Sequence, residues 1–389
     1  MDFKFENDVL TVFLTGNIDS NNAESVGEEI DGIRAKNPNG KMVLDMENLK
    51  YISSAGLRQI LRLKKKEKDL VLINVSSEIY EVFEMTGFTE MMDIEKAYRK
   101  LSVDGCEVIG EGSNGVVYRI NPDTIIKVYK NADALDDIKR ERELARTALV
   151  LGVNTAIPYD VVKVGNSYGS VFELLSAKSL TKLINENVGN TEEVDKYIKI
   201  FVDMLKDIHN TPVKAGVLPD AKKRYLDYLE YIKDKLPEAT YNKLHKMMEE
   251  IPDSNMMIHG DYHTNNVHYA SGEAILIDMD TLATGDPVFE LCNMFLAYHG
   301  FGELDHDCVS KFLKIDWDTC QYILEKTFRM YIEGRDNDSF EDTYNKAALV
   351  GFIRLYRRTI KRSPDNTELI EHCKNRIIEL TDKVDNLVI

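Results

Sequence analysis

His259-Gly260-Asp261-Tyr262-His263-Thr264-Asn265-Asn266-Val267-His268-Tyr269-Ala270-Ser271-Gly272-Glu273-Ala274-Ile275-Leu276-Ile277-Asp278 is the stretch whose reading decides the fold. Apolar residues alternate with others on both sides of Gly272, which predicts a hairpin closed by a three-residue loop, Ser271 to Glu273. That register pairs Val267 with Ile277 and Tyr269 with Ile275, and brings Asn266 and Asp278 out together at the open end. An amide oxygen beside a carboxylate suits a hard cation such as Mg²⁺, which completes its shell with substrate phosphates. Asp261, a few residues upstream, can take a proton from an attacking hydroxyl; together these groups have the makings of a phosphoryl-transfer site. Two other readings stay open here. His259, Asp261 and His263 at alternate positions could ligate a transition metal, as in metal-dependent hydrolases, or the stretch could be a polar turn with hydrogen-bonded histidines.

The wider composition sets limits. At 389 residues the chain exceeds what one ordinary core organises, so two or more domains are expected. Apolar content of 43% and charged content of 30% describe a globular protein with little disorder. No run reaches membrane-span length, and Met1-Asp2-Phe3-Lys4-Phe5-Glu6 lacks the basic-then-apolar order of a secretory signal. The five scattered cysteines contain no Cys-x-x-Cys pair, pointing to a reduced, cytoplasmic protein without a structural zinc site. A net charge of −17 disfavours nucleic acid or anionic membrane as main partner.

Upstream of the hairpin, Gly110-Glu111-Gly112-Ser113-Asn114-Gly115 lies between two strand-like segments. Strand, glycine turn, strand lays backbone N–H groups over phosphates, whereas a dinucleotide-binding turn must open a helix. Lys127, on the following strand, is placed for the α and β phosphates of ATP, although an edge-strand lysine facing water has the same pattern. The helix from Leu135 to Leu151 carries Glu141 on its apolar face, where a carboxylate needs a cationic partner; Lys127 is the candidate, and Glu143 is the second choice as that partner's acid. Val171 to Leu175 forms a buried strand entering a hinge, with Glu173 and Leu175 as nucleotide contacts. The metal-hydrolase reading leaves Lys127, Glu141 and the glycine turn unexplained. From Leu180 onward the chain is mainly helical: Phe201, Met204, Leu205 and Ile208 share one face, and Tyr225, Leu229 and Ile232 another.

With His259-Gly260-Asp261, Asn266, Ile277-Asp278, Gly285-Asp286-Pro287 and Glu290 added, this region resembles the aminoglycoside phosphotransferase and choline kinase branch of the protein-kinase-like fold. The resemblance implies ATP and Mg²⁺ as cofactors. It implies Asp261 as catalytic base, Asn266 and Asp278 as metal ligands, Lys127 with Glu141 as the phosphate-binding pair, and Gly110, Gly112 and Gly115 as the phosphate loop. Thr264-Asn265 stands where Pro-Gly is more usual and Glu290 where aspartate is common, and the Phe-Gly after the metal-binding aspartate of protein kinases is absent (Met279-Asp280). A small-molecule hydroxyl is therefore the expected acceptor. Acids at Glu303, Asp305, Asp307, Asp336 and Asp338 could meet amines of an aminoglycoside, or could be solvated loops.

Residues 1 to 100 alternate strand and helix. Val9 to Leu14 is a strand, Gly16 to Asp19 a turn, Ala23 to Arg34 a helix, and Met42 to Asp45 a short buried strand. A helix around Leu57 to Leu63, a strand at Leu70 to Ile73 and a last helix broken at Gly87 follow. Leu14-Thr15-Gly16-Asn17-Ile18-Asp19, Val43-Leu44-Asp45-Met46, Tyr51-Ile52-Ser53-Ser54-Ala55-Gly56-Leu57 and Met85-Thr86-Gly87-Phe88 resemble a STAS domain, the fold of anti-sigma-factor antagonists. Ala55 stands at the position of the phosphorylated serine in that family. Ser53 and Ser54 are read as helix caps, with Ser54 open to modification or a partner contact. The expected fold class is α/β plus α+β: a STAS-like sheet-and-helix domain (1–100), then a bilobal kinase-like domain (104–389; N-lobe 104–175, helical C-lobe 176–389). The expected function is an ATP- and Mg²⁺-dependent phosphotransferase acting on a small-molecule hydroxyl with an attached STAS regulatory module. The alternative is a regulatory protein whose second domain senses nucleotide or phosphorylates a protein partner.

Overall fold

The computed structural model describes residues 1–112, 115–131, 135–334 and 339–389. Ser113 and Asn114 of the glycine turn, and Asp336 and Asp338 of the acidic loop, lie outside the described residues. The chain divides into two compact units: Met1–Asp104 with Val161–Tyr168, and Gly105–Asp160 with Gly169–Ile389.

The first unit runs β1 (Phe3–Glu6), β2 (Val9–Ile18), α1 (Ala23–Lys36), β3 (Lys41–Ile52), α2 (Ser54–Lys66), β4 (Val71–Val75), α3 (Ser77–Met85) and β5 (Asp93–Lys96). Its sheet has the order β1-β2-β3-β4-β5, antiparallel at β1-β2 and parallel beyond. Leu10, Val12, Leu14, Met42, Leu44 and Leu72 form a core with Ile30, Ile60, Leu63, Ile79 and Phe83 of the helices, as buried parallel strands require. The expected turn at Gly16 to Asp19 is a correction: β2 continues to Ile18, with Gly16 at φ +71° beside a register shift. A glycine with positive φ inside a strand marks a bulge as readily as a turn. The short strand at Met42 to Asp45 is likewise only the first part of a twelve-residue β3. Ser53 caps α2, accepting from Gly56 N at 3.4 Å, whereas Ser54 is the exposed first residue of that helix. A Cβ on Gly56 would lie 2.6 Å from Ile52 Cγ1, so the helix start packs too closely for any side chain.

The second unit opens with β6 (Glu107–Glu111), β7 (Gly115–Asn121), β8 (Thr124–Tyr129) and α4 (Leu135–Val150); β9 (Pro158–Val164) and β10 (Ser167–Glu173) follow, of which Val161 to Tyr168 are grouped with the first unit. The sheet order is β6-β7-β8-β10-β9. β8 is therefore an interior strand, and Lys127 is not the edge residue its pattern allowed. A mainly helical part follows: β11 (Lys178–Ser179), α5 (Leu180–Glu186), α6 (Thr191–His209), α7 (Ala221–Tyr231), α8 (Glu238–Glu249), β12 (Met257–Ile258), β13 (Val267–Ala270), β14 (Glu273–Leu276) and β15 (Ala283–Thr284). The chain ends with α9 (Val288–Tyr298), α10 (His306–Leu313), α11 (Trp317–Ile332), α12 (Phe340–Arg362) and α13 (Thr367–Lys383). All eleven residues of α9 are buried, so it is the hydrophobic axis of this part. Phe201, Leu205 and Ile208 of α6 and Leu229 of α7 join its core, on the faces their spacing predicted.

Candidate active site

The hairpin closes one residue tighter than its sequence suggested. Ala270 pairs with Glu273, so the loop is Ser271-Gly272 alone, with φ of +53° and +90°. Two consecutive positive φ values define the two-residue turn whose twist matches the flanking strands. Val267 thus faces Leu276 and Tyr269 faces Ala274, correcting the expected partners Ile277 and Ile275. The open end survives the shift, because Ile277 N donates to Asn266 O at 2.9 Å and Asp278 follows directly.

The loop preceding the hairpin is held by buried polar groups. Glu290, with no exposed surface, accepts from the backbone N–H groups of His259, Gly260 (2.9 Å) and Tyr262 (3.3 Å). His259 accepts from Asp261 N through Nδ1 (3.3 Å), while its Nε2 meets Ile277 O at 3.1 Å. Both ring nitrogens are thus committed to backbone, which removes His259 as a metal ligand. Gly260 has φ +83°, and a Cβ there would lie 2.7 Å from Thr281 O. Asn266 Nδ2 donates to Asp261 O at 2.9 Å, which leaves the amide oxygen as its remaining ligand atom. His263 Nε2 stands 3.6 Å from Asp261 Oδ2. Burial pushes the Asp261 carboxyl up, but His263, and then the charges of Arg354 and His259, outweigh it and hold the group at about 2.

A cavity of about 540 Å³, within the usual range for small-molecule sites, opens beside this loop. Gly110, Gly112, Gly115, Lys127, Glu141, Glu173, Leu175, Asn266 and Asp278 all line it. Asp261 is not among its lining residues; its carboxylate, 39% exposed, stands on the neighbouring loop. Lys127 Nζ donates to Glu141 Oε1 at 2.8 Å and lies 3.1 Å from Asp278 Oδ1. Glu143 is exposed beside Arg142, so Glu141 is the acid that reaches the lysine. At the hinge, β10 ends at Glu173 rather than Leu175, and the amides of Glu173 and Leu174 donate to Ile157 O and Asp123 O.

Asp280 is a site residue that the sequence reading passed over. Burial, then the Asp278 and Glu141 carboxylates, push it up to about 7, with Lys127 only partly offsetting them. Its signal was its spacing of two from Asp278. Asn266 and Asp278 bring an amide oxygen and a carboxylate to the same cavity, the donor types that Mg²⁺ takes. Among the described residues no group of three or more His, Cys, Asp or Glu side chains is placed for a metal ion. The described acids singled out for amines already have partners. Glu303 is engaged by Arg376, His372 and His299, Asp305 caps α10, and Asp307 pairs with Lys311 at 3.0 Å.

Residues 105–321 match the phosphotransferase enzyme family (APH), and residues 1–101 match the STAS domain. The chain belongs to the phosphotransferase enzyme family and carries a STAS domain ahead of its catalytic region. Its N-terminal part is 34% identical over 90 residues to BtrV of Bordetella bronchiseptica, named as an anti-sigma factor antagonist; the match spans 22% of this chain and 77% of that protein. It is 26% identical over 95 residues to the anti-sigma-B factor antagonist of Listeria monocytogenes, covering 23% and 82%. Among solved structures it is similar to the aminoglycoside phosphotransferase APH(2'')-Ib bound to ADP (15% identity, 80% of this chain and 99% of that one, TM-score 0.49). A thermostable APH(4)-Ia mutant with AMP-PNP and hygromycin B is also similar (13% identity, 72% and 93%, TM-score 0.49). No helix among the described residues is long and apolar enough to cross a membrane.

Proposed function

We propose that residues 104–389, with an N-lobe of 104–175 and a C-lobe of 176–389, transfer the γ-phosphate of ATP to a hydroxyl of a small molecule. The observation that carries this reading is Lys127 held between Glu141 and Asp278 in the wall of a cavity that Gly110, Gly112, Gly115 and Asn266 also line. Lys127 and the amides of the glycine turn hold the phosphates, and Glu173 and Leu175 border the base. Asn266 and Asp278 would hold a magnesium ion, which would supply neutralisation of phosphate charge. Asp261 orients the acceptor hydroxyl and takes its proton as the oxygen–phosphorus bond forms; the bond to the bridging oxygen breaks and ADP leaves. Asp261→Asn abolishes turnover and spares nucleotide affinity; turnover at the wild-type rate in that variant removes Asp261 from the role of base.

The STAS match supports a second element: the first hundred residues dock a protein partner and regulate the phosphotransferase. Capture of partners on the full-length chain, beside phosphotransfer assays on hydroxyl compounds, separates this from the alternative. Tight nucleotide binding with no small-molecule acceptor, together with a phosphorylated partner, favours the regulatory reading. The five unpaired cysteines support placement in the cytoplasm.

A further inference from the structure

The acceptor side of the loop carries positive charge in a chain of net charge −17. Arg354, Arg358 and Arg362 recur every four residues along α12, so they share one face of that helix. Arg354 donates to Asn293 Oδ1, and Asn293 Nδ2 donates to Gly260 O at 2.9 Å. One amide side chain thus separates the guanidinium from the residue preceding Asp261. Arg354 and Arg358 are both within electrostatic reach of Asp261. Aromatic rings border the row: the Arg357 guanidinium sits 4.4 Å from the Tyr228 ring centroid, and Arg358 sits 5.4 Å from that of Phe301.

Among the described residues Arg354, Arg357, Arg358 and Arg362 make no ion pair with a carboxylate, and the buried Nε of Arg357 has no hydrogen-bond partner. Burial, and then the Arg362 and Arg354 guanidiniums, push Arg358 below its ordinary value, with Asp261 offsetting only part. Guanidinium groups held on one helix face, with the Asp261 carboxylate offsetting only part of their mutual repulsion at a partly desolvated site, favour a further anion from outside. The planar fork of arginine matches the oxygens of phosphate or carboxylate.

The geometry points to an acceptor that carries a phosphate or carboxylate group, bound by Arg354 and Arg358 while its hydroxyl is presented to Asp261. This rests on the phosphotransfer reading above, and it favours an anionic acceptor over an aminoglycoside, since a polyamine would meet guanidiniums of like charge. Arg354 and Arg358 here bind the acceptor; Asn293 positions Arg354.

The test uses the full chain loaded with AMP-PNP and Mg²⁺, so that the nucleotide cavity is filled, and titrates inorganic phosphate by calorimetry. Wild type binds phosphate, the exposed-site variant Arg358→Glu binds it about tenfold more weakly or worse, and Arg358→Lys retains part of the affinity. Phosphate that does not bind the loaded wild type, or binds Arg358→Glu equally well, overturns the proposal. A second arm assays phosphotransfer to glucose 6-phosphate against glucose, glycerate against glycerol, and kanamycin. Preference within the first pair identifies a phosphate acceptor and within the second a carboxylate acceptor, whereas faster turnover of kanamycin overturns the proposal. With an anionic acceptor, Arg358→Glu raises the acceptor KM and leaves the nucleotide KM in place. If AMP-PNP and Mg²⁺ do not bind at all, the phosphotransfer reading falls, and the phosphate titration of the unloaded chain still decides the anion site.

Discussion

Glu141 of helix α4 holds Lys127 of strand β8 at 2.8 Å, joining the helix to the sheet at the wall of the nucleotide-sized cavity. The two are unequal partners in the fold, since Glu141 is 7% exposed while Lys127 also leans on Asp278. Burial alone would push Lys127 down, but the Asp278 and Glu141 carboxylates hold it well above its ordinary value. Its stabilising effect is therefore complete below the unfolded lysine range and is lost only when pH rises past that raised value. Lys127→Met leaves a buried carboxylate without its cation and lowers stability by about 3 kcal/mol, as breaking a buried pair does. Denaturant melts check this, and Glu141→Gln added to the same variant restores part of the loss. Turnover drops roughly a hundredfold or more in Lys127→Met, because a phosphate-positioning charge is gone.

Gly112 and Gly115 do different jobs. A Cβ on Gly115 would lie 2.5 Å from Val128 O, inside the sheet itself, whereas a Cβ on Gly112 meets nothing within 4 Å. Gly115→Ala therefore destabilises the protein by about 2 kcal/mol with or without nucleotide. Gly112→Ala leaves unfolding unchanged and weakens AMP-PNP binding about tenfold, by blocking close approach of phosphate to backbone. Thermal melts paired with calorimetry separate the two effects, and equal losses of stability would remove the distinction.

Glu290 ties three backbone amides of the loop that carries Asp261. Glu290→Ala strands those donors in a dry interior at a cost of about 3 kcal/mol or more, and a lowered Tm reports it. Glu290→Asp keeps the charge but is one methylene short, so it retains more stability than Ala while losing kcat through a displaced Asp261. Full activity in Glu290→Ala would mean that the loop is held by other contacts.

Those contacts explain what the sequence could and could not reveal. The STAS and phosphotransferase families were legible because their signatures are local: glycine turns, apolar periodicities and acids at short spacing, each set by backbone requirements. Glu141 was legible over Glu143 because only one of them shares the apolar face of α4. The hairpin register was not, since Ser271-Gly272 and Ser271-Gly272-Glu273 are both acceptable loops and choosing between them depends on the φ of a serine, +53° here. β1 was missed because Phe3–Glu6 is exposed throughout, so no burial pattern marks it. Asn293 and Arg354 lie 32 and 93 residues beyond Asp261, and only the packing of α9 against α12 brings them to its loop.

The acid side of the pH profile tests the setting of Asp261. Its folded value of about 2 lies below the ordinary value near 3.8, so ionised Asp261 stabilises the fold above the unfolded range. That contribution fades as pH falls from about 4 toward 2, and protonated Asp261 contributes nothing below it. Asp261→Asn removes the titration, so wild type and variant differ more in stability at pH 6 than at pH 2.5. His263→Ala withdraws the nearest cause of the depression, and Asp261 then titrates closer to an ordinary carboxylate. Carbon-detected NMR of the Asp261 carboxyl follows both changes directly. Over pH 5 to 8 the wild-type rate is not limited by protonation of Asp261, and an acid limb in that range which disappears only in Asp261→Glu would contradict this setting.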